Sequence, residues 1–203
     1  MRHILAFILI AFLGPPPAVQ ASETPAREVV QTLHDALLDV MQAADELGFD
    51  GRRDYLWPVM DEVFDMTLIA RTSAGRHWRQ ANADERERLV EIVTRLSVTT
   101  YAARFDGYSG ESFRILSEQP APRDMRFVNT EIVKSDGETV QLNYLMRQSA
   151  SGWRIVDVYL AGVYSELALS RADYASTLKR GGFEGLFAEL EKKVAAIEAE
   201  ERE

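Results

Sequence analysis

The sequence lacks cysteine and is poor in histidine. The absence of cysteine excludes disulfide bonds and thiolate metal sites. Of the three histidines, only His34 and His77 lie beyond the N-terminal segment that we expect to be removed. Zinc sites and Ser-His-Asp triads both depend on histidine. We therefore predict no metal site and no cofactor, and we interpret His77 as a structural or surface residue.

Several ligand-binding motifs are also missing. The sequence contains no phosphate-binding loop, no nucleophile elbow and no metal-ligand spacing. The Gly-rich tetrapeptide Gly107–Gly110 follows a predicted helix and has no lysine, so we interpret it as a helix end and a turn. No apolar run after Leu13 reaches the roughly 17 residues that a membrane span needs.

Positive charge is scarce. The 23 lysines and arginines oppose 32 aspartates and glutamates, which leaves a formal net charge of −9. A chain with this excess is repelled by DNA phosphates and by anionic lipid head groups, so nucleic-acid binding is not expected. Hydrophobic residues make up 46% of the chain, which is enough to build the core of a single domain.

The N-terminal residues 1–21 have the layout of a secretory signal peptide. Arg2 supplies positive charge, and the apolar run Ile4–Leu13 follows it. Prolines then break the run, and Val19 and Ala21 offer the small side chains that a signal peptidase needs. We predict that this segment is cleaved and that the mature protein works in the periplasm. A retained N-terminal anchor is the alternative.

Two amphipathic helices are predicted at the start of the mature chain. Thr24 and Pro25 have the residue types that favour an N-cap and a first helical turn. Apolar residues at three- and four-residue steps then extend the first helix to about Gly48. A second helix covers residues 54–70 and is expected to break at Pro58, because proline removes a backbone donor.

Further helices are predicted on both sides of a central segment. Asn82 and Glu85 resemble a capping box, and the long helix that they begin is expected to end at Gly107. Helices return over residues 164–197 and are separated at Gly181–Gly182. The charged tail after them is expected to fray.

The central segment, residues 111–163, has a hydrophobic period of two. We predict four antiparallel strands there, over residues 113–116, 125–133, 139–146 and 153–160. The last strand is apolar on both faces and therefore needs cover on both sides. With a helical half over residues 22–110, this order predicts an α+β fold: one domain, residues 22–203, with a curved antiparallel sheet of about four strands wrapped by N-terminal and C-terminal helices.

Asp157 is the acidic residue most expected to be buried, because Val156 and Val158 flank it. It could serve as a general base in an apolar cavity. It could equally pair with Arg71 or Arg104, or cap backbone amides. We favour a structural role for Asp157 and for Arg71, and we predict no catalytic residue.

An ordered set of short motifs resembles the MlaC family, also called the toluene-tolerance auxiliary family. The motifs are Phe64–Arg71, Gly75–Trp78, the helical stretch 83–91, Thr100–Ala102, Asn143–Met146, Trp153–Val158 and Gly162–Val163. Their order and spacing carry the resemblance, which extends over residues 25–195.

The resemblance implies an NTF2-like sheet wrapped by helices, with a pocket for acyl chains between them. It also implies a periplasmic lipid carrier that is not an enzyme. Such a carrier is the soluble component that moves lipid between an outer-membrane lipoprotein complex and an inner-membrane ABC transporter, with transient membrane contact. A dry channel can extract a lipid unaided, since burying each CH₂ gains roughly 0.8 kcal/mol.

One segment differs from the pattern of the core family and indicates a particular branch. Ser165–Ala168, followed by Arg171 and Tyr174, is similar to the hopanoid-biosynthesis-associated branch, HpnM. Leu169 and Ser170 replace the Thr-Arg pair of that branch. The branch implies a rigid polycyclic terpenoid as the ligand, where the core family implies a two-chain phospholipid. Both ligands remain open from the sequence.

The predicted pocket lining combines aromatic and aliphatic residues from the helices and the sheet: Phe64, Met66, Ile69, Leu96, Tyr101, Phe105, Tyr144, Met146, Val158, Leu160 and Val163. Two other functions are possible. One is an NTF2-like enzyme that uses Asp157 with Tyr101 or Tyr144 in an apolar pocket, which rests on fold analogy. The other is an interaction subunit whose own side chains fill the pocket.

Overall fold

The computed structural model describes residues 25–202, so the predicted signal peptide lies outside the described residues. The helices are α1 (Ala26–Gln42), α2 (Ala44–Val63), α3 (Met66–Ala74), a 3₁₀ turn (Gly75–Arg79), α4 (Ala83–Arg104) and α5 (Glu166–Glu200). The strands are β1 (Ser112–Ala121), β2 (Met125–Val133), β3 (Thr139–Ser149), β4 (Gly152–Leu160) and β5 (Tyr164–Ser165). Over residues 25–202, no helix has the length and apolarity needed to cross a bilayer.

The sheet confirms the predicted α+β architecture. Its strands are antiparallel neighbours in the order β1-β2-β3-β4-β5. The four predicted strands are present, and the two-residue β5 adds a fifth. β4 is buried on both faces, as its sequence requires, with Ile155 and Val156 both inaccessible. The Asp65 amide donates to the Ile155 carbonyl at 2.9 Å, which ties the α2–α3 junction to this strand.

The helix end predicted near Gly48 is present as a bend, whereas the break predicted at Pro58 is wrong. Pro25 occupies the N-cap position of α1, which ends at Gln42, and Thr24 lies outside the described residues. The chain passes Gly48 within α2, as a bend with a φ of 59°. α2 also continues through Pro58 without a break. Pro58 is exposed, so water can satisfy the carbonyl that its missing N–H leaves free.

α4 begins as predicted and ends early. The Asn82 side chain accepts from the Glu85 amide at 2.9 Å, and the Glu85 carboxylate accepts from the Asn82 amide at 2.8 Å. This pair confirms the capping box. The helix ends at Arg104, before Gly107, because Phe105 leaves the helix to pack between the rings of Tyr101 and Phe113.

Two hydrophobic clusters make up the core. The first joins α1 and α2 to the sheet, and Leu33, Leu56 and Ile155 are fully buried in it. The second joins α3, α4 and α5, with Leu89 and Leu190 fully buried. α4 contributes to both clusters and connects them. The concave space between the clusters is where the cavity described below is located.

The C-terminal tail is docked where fraying was predicted. α5 bends at Gly182, in agreement with the predicted separation, and then remains helical to Glu200. Glu201 forms an ion pair of 2.9 Å with Arg52, whose side chain is only 6% exposed. Arg52 also donates to the Ala102 carbonyl at 2.9 Å. A buried guanidinium needs a counter-charge, and the tail supplies it.

We expect Glu201→Gln to lower the free energy of unfolding by about 1–3 kcal/mol, because it leaves the buried Arg52 without its carboxylate. Arg202→Gln is the matched control. It removes the exposed ion pair with Asp50 and should cost less than about 0.5 kcal/mol. Urea denaturation of both variants checks this, and equal costs would contradict a docked tail.

His34 is a buried histidine at the centre of the first cluster. Its ring stacks on Phe113 at 4.4 Å between centroids, and its Nε2 lies 3.1 Å from the Tyr144 hydroxyl. Burial lowers the pKa of His34 from 6.5 to about 4. Burial also raises the pKa of Tyr144, so the hydroxyl stays protonated. The imidazole is therefore neutral in the folded protein at neutral pH.

The lowered pKa of His34 predicts a loss of stability in acid. Between pH 6.5 and 4 the unfolded chain binds a proton that the folded chain does not, so this contribution is present above pH 6.5 and lost as the pH falls towards 4. The loss should reach about 2–3 kcal/mol near pH 4.5. Urea denaturation at pH 7 and pH 4.5 measures it. His34→Gln should show a smaller drop, and His77→Gln is the control that should retain it.

Candidate functional site

An apolar cavity of about 320 Å³ lies between the two hydrophobic clusters. Helices α2 to α5 form one side, and strands β2, β3 and β4 form the other. Arg104 and Val140 line the cavity and are exposed, so the space reaches the protein surface at these residues. Its volume and apolar lining are those of a small-molecule binding site.

Seven of the eleven residues predicted to line a pocket are brought together at this cavity. They come from the α2–α3 junction, from α3, from α4 and the residue that follows it, and from β4: Phe64, Ile69, Leu96, Tyr101, Phe105, Val158 and Leu160. Their spacing in the sequence is large, so only the tertiary fold makes them neighbours. That they bind a ligand stays a prediction.

The other four predicted residues lie away from the cavity. Tyr144 and Met146 are fully buried in the first cluster, where His34 of α1 contacts Tyr144. Met66 is also buried in this cluster and borders a separate, polar cleft. Val163 is 69% exposed, since it lies in the turn that follows β4.

Strand residues that we did not predict complete the lining. Val140 and Leu142 precede Tyr144 on the same face of β3, and their cross-strand partners are Ile132 and Leu160. The alternation along β3 was visible in the sequence and could have identified both. The sequence did not show at which residue of this face the helices stop covering the strand. The remaining apolar and aromatic lining consists of Met60, Val93, Val156, Leu167 and Tyr174.

Hydroxyl groups on α4 do not make this cavity polar. Ser97 donates to the Val93 carbonyl at 2.9 Å, and Thr100 donates to the Leu96 carbonyl at 2.7 Å. Because these hydroxyls are bonded to their own helix, the side chains offer mainly carbon to the space. The wall formed by α4 is therefore compatible with hydrocarbon.

Asp157 lines the cavity, but its oxygens are used for structure. One oxygen accepts from the amides of Val158 and Leu167, at 2.8 and 3.0 Å, and the other accepts from the Ser165 hydroxyl at 2.6 Å. Ser165 in turn caps α5 by accepting from the Ala168 amide. Of the roles left open for Asp157, backbone capping is the one observed. Pairing with Arg71 or Arg104 does not occur.

Two charged residues line the cavity in addition to Asp157. Arg104 ends α4 and Glu166 begins α5, and both line the space near Tyr101. Burial is the main cause that raises the pKa of Tyr101, while the Arg104 charge lowers it and the Glu166 charge raises it. The phenol therefore stays protonated at neutral pH and is not a base.

A second, polar cleft of about 280 Å³ borders Met66. Of the charged residues that line it, Asp65 forms an ion pair of 2.9 Å with Arg147, and Arg154 donates to the backbone carbonyl of Asp61 at 2.8 Å. Across residues 25–202, no three His, Asp or Glu side chains are grouped so that they could hold a metal ion.

No curated protein matches the chain in a sequence comparison. Among solved structures, the phospholipid-binding protein from Ralstonia solanacearum, in complex with a phospholipid, matches with a TM-score of 0.73 and 22% identity. The match covers 86% of this chain and 99% of that chain, and it shows that the two share a fold. In a comparison with protein families, the model of the family described as "MlaC protein" matches residues 31–192. Because this match spans most of the sequence, the chain belongs to the MlaC family, as its motifs indicated.

Proposed function

We propose that this protein is a lipid-binding carrier that shields hydrocarbon in the cavity between its two hydrophobic clusters. The observation that carries the proposal is the apolar cavity of about 320 Å³, which reaches the surface beside Arg104. Transfer of hydrocarbon from water into such a space gains roughly 0.8 kcal/mol per CH₂. Binding therefore needs no catalytic group.

The distribution of polar groups supports binding over catalysis. An enzyme of the NTF2-like type would need Asp157 as a free base beside a tyrosine. Both carboxylate oxygens of Asp157 are instead bonded to Ser165 and to backbone amides. Tyr144, one of the two candidate tyrosines, contacts His34 in the core and does not line the cavity. An interaction subunit with a filled pocket is disfavoured by the cavity itself.

Family membership supports a wider role. We propose that the protein works in the periplasm, where it carries lipid between membranes as the soluble component of an ABC transport system. Its partners would be an inner-membrane ABC transporter complex and an outer-membrane lipoprotein complex, with transient membrane contact. The signal-peptide layout of residues 1–21 supports this location. The phospholipid bound by the Ralstonia solanacearum protein makes phospholipid the first ligand to test, and a hopanoid of the HpnM branch the second.

Protein purified gently from a bacterial host should carry lipid, and bulky residues in the cavity should remove it. We expect Leu96→Trp combined with Leu160→Trp to give an apo mass in native mass spectrometry, because each ring fills space from an opposite wall. The melting temperature should remain within a few degrees of the wild type, since the rings enter existing space.

The matched control for this experiment is Leu116→Trp, which places the same ring on the exposed side of β1. It should retain bound lipid. Full lipid occupancy in the double variant would mean that the ligand binds elsewhere. A wild-type protein that neither carries nor takes up phospholipid or hopanoid would contradict the carrier function itself.

We expect Asp157→Asn to lower stability by about 1–2 kcal/mol while lipid binding is retained. The substitution removes a negative charge that accepts from the Leu167 amide at the N-terminus of α5. Urea denaturation and native mass spectrometry measure the two effects. Asp106→Asn, at an exposed position beyond α4, is the control and should change neither. Unchanged stability of the Asp157 variant would refute its structural role.

A further inference from the structure

The lining of the cavity includes one basic side chain, Arg104, and two acidic ones, Asp157 and Glu166. Arg104 is exposed and Glu166 is half-buried, so these two charges lie where the apolar space meets water. Hydrocarbon inside the cavity would leave the polar end of its molecule at this position. That polar end would therefore meet the charges of Arg104 and Glu166.

The charged groups of Arg104 and Glu166 are available to a ligand. Within residues 25–202, neither side chain forms a hydrogen bond or an ion pair with another residue. Asp157 differs, because its oxygens are bonded to Ser165 and Leu167. The opening thus presents one free guanidinium and one free carboxylate.

The N-terminus of α5 does not offer a competing anion site. Helix N-termini bind phosphate through free backbone amides. Here the Leu167 amide is taken by Asp157, and the Ala168 amide is taken by the Ser165 hydroxyl. The Asp157 charge beside these amides also repels an anion. A phosphate at the opening would therefore bind Arg104.

We propose that the cavity selects a lipid whose head group carries both a phosphate and an ammonium group, with the phosphate on Arg104 and the ammonium on Glu166. This inference rests on the proposed carrier function and narrows its ligand class. A phosphate is a strong partner for a guanidinium. A head group with a phosphate but no amine leaves the Glu166 carboxylate facing an anion, which is unfavourable. A lipid without phosphate leaves Arg104 without a partner.

The test compares lipids that share the same two oleoyl chains and differ only in the head group. Phosphatidylethanolamine, phosphatidylglycerol and diacylglycerol are offered as equimolar pairs to delipidated full-length mature protein, and occupancy is read by native mass spectrometry. We expect phosphatidylethanolamine to be preferred about fivefold over each competitor, as befits contacts at a partly solvated opening. Glycerophosphoethanolamine, which has the head group without chains, should not displace bound lipid.

Two variants separate the roles of the charges. Arg104→Gln should reduce the preference for phosphatidylethanolamine over diacylglycerol towards unity. Glu166→Gln should remove the preference over phosphatidylglycerol while the preference over diacylglycerol is kept. Arg27→Gln and Glu87→Gln make the same changes in net charge at exposed positions outside the cavity and should preserve all preferences.

The outcomes test the carrier function and the head-group assignment separately. Failure of all three lipids to bind would contradict the carrier function. Equal occupancy by the three lipids, or variants that behave like their controls, would overturn only the head-group assignment. Displacement of lipid by glycerophosphoethanolamine would also overturn it, because the site would then recognise a water-soluble phosphate–amine compound.

Discussion

The junction between strand β4 and helix α5 depends on the Asp157 carboxylate, which also lines the cavity. Through Ser165 and Leu167 this one side chain sets both the end of β5 and the first turn of α5. The negative charge is stabilised there because it meets the positive end of the helix dipole. α5 is thereby held beside the sheet at its N-terminus and packs on α3 and α4 further along.

The cavity lies between two hydrophobic clusters that bury different sets of helices. The first cluster buries α1 and α2 against the sheet, and the second buries α3 to α5 among themselves. α4 spans both, so they cannot separate, and the bonded hydroxyls of Ser97 and Thr100 keep its wall apolar. Water gains little in such a space, whereas hydrocarbon gains the full benefit of burial. The charges of Arg104 and Glu166 at the opening then provide a place for a polar head group.

Local signals predicted the elements well where a short-range interaction decides the structure. The capping box of Asn82 and Glu85 depends on residues three apart, and the strands depend on alternation between neighbours. Prediction failed where the deciding partner is distant. Pro58 does not end α2 because its side of the helix faces water, and the tail does not fray because Glu201 meets Arg52 from another helix. Neither fact can be inferred from a short stretch of neighbouring residues.

The sequence alone determined that the protein has an α+β fold, no cysteine chemistry and the motifs of the MlaC family, because composition, period and motif order are properties of the chain itself. It also identified the residue types of an apolar lining. Only the tertiary structure decided which of them meet at the cavity. Leu142, Tyr144 and Met146 share one face of β3, yet Leu142 lines the cavity and the other two are fully buried in the first cluster. The difference arises because burial along one strand face is set by where the helices lie, and that arrangement is the result of contacts between residues far apart in the chain.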